Sequence, residues 1–139
     1  MKEKPMKILI IEDDVNDCNA FKNCVKNRND IEIVAITDSD IEGLQLVKVK
    51  HPEGIILDLE LNKSTSGSTD SLDFLNKLKD LNLNYDPIVI VTTHISSQRT
   101  YEILHKNGAE LILYKDHPKY SPDHVLNNFI TLRKKDDVN

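Results

Sequence analysis

The chain has 139 residues, a net charge of −5, and 39% hydrophobic and 29% charged residues, the balance of an ordinary globular domain with room for one core. It has no basic stripe, and its one basic cluster, Arg133-Lys134-Lys135, is followed at once by Asp136-Asp137, so direct nucleic-acid binding is not expected. No apolar run reaches membrane-spanning length and no signal-peptide core opens the chain, so the expectation is a cytoplasmic protein with no membrane partner.

Five strand-like runs alternate with five helix-like stretches. The first run, Ile8-Leu9-Ile10-Ile11, ends at Glu12-Asp13-Asp14. A helix pattern follows, with Val15, Cys18, Phe21 and Val25 predicted on one face. Cys18 and Cys24 share that helix about 9 Å apart along its axis, too far for a disulfide. With no paired His/Cys spacing, a zinc site is not expected either. Ile31 to Ile36 reads as a second strand, and Glu32 within it suits a sheet edge. Asp38 and Ser39 offer caps for a second helix carrying Ile41, Leu44 and Val47, and His51-Pro52-Glu53-Gly54 ends it. The third run, Ile55-Ile56-Leu57, ends at Asp58.

A polar loop, Asn62 to Thr69, comes next and is expected to be mobile. A third helix begins near Asp70 and is predicted to bury Leu72, Leu75, Leu78 and Leu81. Asp86-Pro87 opens the fourth run, Ile88-Val89-Ile90-Val91, which ends at Thr92. Ser96 or Ser97 caps the fourth helix, and Asn107-Gly108 stops it. The fifth run, Leu111-Ile112-Leu113, leads to Lys115. Ser121-Pro122-Asp123 starts a last helix bearing Val125, Leu126, Phe129, Ile130 and Leu132. Residues 1–5 and 134–139 are expected to fray.

Unbroken apolar runs rich in β-branched residues suit strands covered on both faces, so the fold class is α/β: a doubly wound, five-stranded parallel sheet with helices on both faces. In such sheets ligands bind beyond the carboxyl ends of the strands. Asp13, Asp58, Thr92 and Lys115 all fall there. Each has an ordinary explanation by itself: a cap, a strand terminus, a β-branched strand residue, a solvated charge. Together they make a site for a hard cation and a phosphoryl group.

These pieces, from Ile8–Asp14 through Gly54–Asp58 and Pro87–Thr92 to Asn107-Gly108-Ala109 and Lys115, resemble the receiver domain of response regulators in two-component signalling. The resemblance covers nearly the whole chain. It implies a flavodoxin-like strand order of 2-1-3-4-5 and a single CheY-like receiver domain over residues 1–139, with its core at about residues 6–133. Asp58 would accept a phosphoryl group from a sensor histidine kinase or phosphotransfer protein. Asp13, Asp58 and the backbone carbonyl of Glu60 would bind Mg²⁺ directly, with Glu12 holding the ion through water. Thr92 and Lys115 would each take a phosphoryl oxygen. The protein would then be a stand-alone phosphoacceptor rather than an enzyme, signalling by binding an unknown downstream protein.

The chain departs from the family pattern at several positions. Ile112 stands where the family carries a switch aromatic, with Tyr114 two residues on; Asp116 replaces the usual proline after Lys115; Thr93 follows Thr92 where a smaller residue is common. With no ring to swing at Ile112, a muted change is expected there. His94 is expected to face the crevice and, with Glu60, to tune the loss of phosphate. Two rival readings remain: a receiver-like scaffold that works without phosphorylation, and a phosphatase using Asp58 and Glu60. Nucleotide-binding glycine loops are excluded, because Gly43, Gly54, Gly67 and Gly108 have the wrong spacing.

Overall fold

The computed structural model describes residues 4–61 and 70–138. The expectation of mobility for Asn62 to Thr69 falls outside the described residues. In chain order the elements are β1 (Met6–Ile11), α1 (Val15–Val25), β2 (Ile31–Thr37), α2 (Asp40–Lys50), β3 (Gly54–Asp58), α3 (Asp70–Asp80), β4 (Ile88–Thr93), α4 (Gln98–Lys106), β5 (Leu111–Tyr114) and α5 (Pro122–Val138). The strands form one five-stranded parallel sheet in the order β2-β1-β3-β4-β5. Chain direction across the sheet reverses between β1 and β3, which opens a crevice at their carboxyl ends.

Side chains alternate across a strand, so each central strand feeds two cores. Leu9, Ile11, Ile55, Leu57, Val89 and Val91 pack on one face with Val47 of α2, Phe74, Leu75 and Leu78 of α3, and Leu104 of α4. Ile8, Ile10, Ile56, Ile88 and Ile90 pack on the other with Phe21 of α1 and Val125, Leu126 and Phe129 of α5. This double coverage is why β1, β3 and β4 read as continuous apolar runs. Gly54 opens β3 where a side chain would not fit: a Cβ there would lie 2.6 Å from Ile8 Cδ1 and 2.7 Å from the Phe129 ring.

Several helix faces differ from those expected. Val15 is 70% exposed and Ile41 is 52% exposed, so neither belongs to a core. Both sit in the first turn of their helices, above the sheet's rim rather than over its strands. Leu72 is only half-buried, while Phe74, whose place in the core the apolar spacing did not reveal, is fully buried. α2 is closed by His51 itself, in the left-handed conformation (φ 50°), with its N–H on the Val47 carbonyl. Ser97 rather than Ser96 caps α4, accepting from the Thr100 N–H. α5 runs on to Val138 instead of fraying from residue 134. Arg133 fastens that stretch, donating to the Lys4 carbonyl at 3.1 Å and lying 3.7 Å from Glu53.

Candidate functional site

Four strand ends and the start of one helix build the site. β1 delivers Glu12 and Asp13, and the Glu12 N–H continues the ladder to the Thr37 carbonyl at 2.9 Å. Asp14 then caps α1, accepting from the Asp17 N–H. β3 ends on Asp58, paired in register with Thr92 of β4. The Lys115 N–H donates to the Thr93 carbonyl at 2.7 Å, so the sheet ladder aims Lys115 back over the crevice. The described residues contain no cis peptide, so Asp116 follows Lys115 through a trans bond.

Glu12, Asp13 and Asp58 each present a carboxylate oxygen, all within 4.8 Å of one another. Glu12 and Asp58 are buried and Asp13 is half-buried. Burial first, then the hydrogen bond and charge of Asp58, pushes the Glu12 carboxyl up to about 9, against the pull of Lys115. The Lys115 ammonium lies 3.1 Å from Glu12 Oε1, 3.3 Å from Asp58 Oδ1 and 3.3 Å from Asp17 Oδ2. Burial alone would lower its pKa, but Asp58 and then Glu12 and Asp17 outweigh burial, so it stays charged well above its usual range. With Glu12 protonated, one cation among the carboxylates of Asp13, Asp17 and Asp58 still leaves a surplus of negative charge, which suits a further cation.

Thr92 is buried and its hydroxyl has no hydrogen-bond partner among the described residues. Leaving such a group unsatisfied costs about 1–3 kcal/mol. A hydroxyl so placed suits a hydrogen bond to an oxygen of a bound group.

Of the site residues named from the sequence, Glu12, Asp13, Asp58 and Lys115 meet in this crevice, and Thr92 lies beside Asp58 in register. Sequence reasoning missed Asp17, an acid in the first turn of α1 beside the end of β1, a position that could have revealed it. It also missed what Glu60 does with its side chain. The carboxylate accepts from Thr93 Oγ1 at 2.8 Å and from the His94 N–H at 2.6 Å, while the Glu60 N–H donates to Asp58 Oδ1 at 3.2 Å. The His94 ring turns along the rim, its Nδ1 3.2 Å from both carboxylate oxygens of Asp116, with each side chain more than half exposed. That pairing is available only because residue 116 is an acid.

Residues 8–123 match the response regulator receiver domain family. The probable C4-dicarboxylate response regulator DctR of Bacillus subtilis is 28% identical over 109 residues, which are 78% of this chain and 45% of DctR. The chain thus spans less than half the length of the curated relatives it matches first. The Francisella response regulator 1452 receiver domain superposes with a TM-score of 0.75 at 20% identity, covering 94% of this chain and 98% of that one. The Mn²⁺-bound form of the response regulator Rcp1 superposes at 0.67 and 20% identity, covering 83% of this chain and 84% of that one. No helix among the described residues is long and apolar enough to cross a membrane. With its strand order, its acidic cluster and this match over most of its length, the chain belongs to the response regulator receiver domain family of two-component signalling.

Proposed function

We propose that Asp58 is the phosphoacceptor of a Mg²⁺-dependent receiver, supplied by a histidine kinase or phosphotransfer protein. The observation that carries this reading is the buried, unpartnered Thr92 hydroxyl, paired in register with an Asp58 that already touches Lys115. A carboxylate oxygen of Asp58 attacks phosphorus. A new P–O bond forms as the donor's P–N bond to a phosphohistidine breaks, and the electron pair returns to the imidazole nitrogen. Lys115 neutralises charge on one transferring oxygen, and Thr92 donates its free hydroxyl to another. Asp13 and Asp58 would offer direct oxygen ligands to the ion, the Glu60 backbone carbonyl would offer a third, and Glu12 would hold it through water. When bound, Mg²⁺ screens the carboxylates from the anionic donor. Rcp1, which shares this fold, has a Mn²⁺-bound form, and in this chain the cluster of Glu12, Asp13 and Asp58 is the set of ligands that suits a divalent ion.

On this reading the chain is a phosphoacceptor rather than a turnover enzyme, and its output is binding to a downstream protein. The test is incubation with acetyl phosphate and Mg²⁺ followed by mass spectrometry. The expected result is a gain of one phosphoryl group, lost on adding a chelator and lost in Asp58→Asn. Labelling of Asp58→Asn at the wild-type rate would overturn the assignment. No labelling of the wild type would favour the scaffold reading.

A further inference from the structure

The hydrogen bonds that leave Asp58 continue beyond the crevice. The Glu60 N–H donates to Asp58 Oδ1, and the Glu60 carboxylate accepts from the Thr93 hydroxyl. Thr93 Oγ1 in turn accepts from the Ile95 N–H at 2.9 Å. The Ile95 carbonyl then accepts from the Tyr101 hydroxyl at 2.6 Å. Tyr101 stands on α4, and its half-buried ring lines a groove of about 360 Å³ beside β5 together with Ile112, Tyr114 and Tyr120. A ring in that groove is therefore joined, bond by bond, to the nucleophile's own loop.

The segment after Thr92 is held at both ends. Glu60 grips Thr93 and His94, and Tyr101 grips Ile95. Thr93 is fully buried, so its peptide cannot shift without moving these partners. Thr92 immediately precedes it with the unpartnered hydroxyl. An acceptor arriving on Asp58 would draw that hydroxyl inward and load the held segment. Ile112 faces the same groove but carries no polar atom with which to sense the movement.

We propose that Tyr101 is a positioning residue that couples the state of Asp58 to the groove beside β5, its hydroxyl making the ring follow the segment after Thr92. This rests on the phosphoacceptor reading above. It places the mobile ring on α4, whereas the family resemblance points to β5.

The test is amide NMR of the full chain with Mg²⁺, with and without beryllofluoride as phosphoryl mimic. Wild type is compared with Tyr101→Phe, which keeps the ring and loses only the hydroxyl, and with Thr93→Val, which cuts the chain one link earlier. In both variants the shifts at residues 58–60 should persist, while those at 98–114 should fall by about half or more. Phosphorylation of Tyr101→Phe by acetyl phosphate should proceed at the wild-type rate, a split that a general loss of structure would not produce. Unchanged shifts at 98–114 in both variants, with intact shifts at 58–60, would overturn this inference alone. Absence of any shift at 58–60 in the wild type would overturn the phosphoacceptor reading and this inference with it.

Discussion

Among the described residues, Glu12 has its ionisation strongly displaced. Its carboxyl holds a proton up to about 9 in the folded protein, against 4.5 ordinarily, chiefly because it is buried. A group whose folded pKa is raised stabilises the fold fully below the unfolded value and loses that contribution as pH rises through the folded value. Metal-free protein should therefore lose stability between about pH 4.5 and 9, and Glu12→Gln should flatten that slope. Lys115 adds nothing to this window, since its raised pKa affects stability only at more alkaline pH. Thermal melts of both proteins across the window, with and without Mg²⁺, check this; parallel slopes would refute it. Asp13 acts differently. Asp13→Ala should leave the fold intact and weaken Mg²⁺ binding by about tenfold or more, read by calorimetry.

Among elements, β3 is buried along its whole length and opens on a glycine. Gly54 lets Ile8 and the Phe129 ring close over the start of the strand that ends in Asp58. Gly54→Ala should cost about 1–3 kcal/mol of stability, measured by denaturant unfolding. A neutral result would mean that Phe129 swings aside freely. The strands were the most legible elements, because burial on both faces leaves β1, β3 and β4 almost nothing but branched apolar residues. Helix faces were less so. Val15 and Ile41 match the helical period yet sit in first turns above the rim, and only the sheet's extent decides that. The pocket residues could be named from their positions at strand ends. Bonds such as Glu60 to Thr93 and Tyr101 to Ile95 could not, because they join loops that meet only after the sheet has formed.

Across the whole molecule, one charged group ties α1 and β2 to α5. Arg28, just after α1, forms a paired contact with Asp30 at 2.9 Å through Nε and Nη2, and reaches Asp123 at the start of α5 at 3.3 Å. The hydrogen bonds and charge of Asp30, then those of Asp123, hold the Arg28 pKa above its usual value despite burial. Arg28→Ala should lower stability by about 1 kcal/mol while leaving Asp58 labelling at the wild-type rate. Slower labelling would mean that this tie bears on the crevice.

The sheet also acts as a partition. Phe74 and Phe129 are both fully buried, but they lie in separate cores with β-strand backbone between them. Damage on one side therefore has little means of reaching the other, and the penalties of Phe74→Leu and Phe129→Leu should simply add in the double variant. Drift can then accumulate in either layer independently. The layers meet again only at the tips of β1, β3 and β4, where a change in either one bears on the same few oxygen atoms.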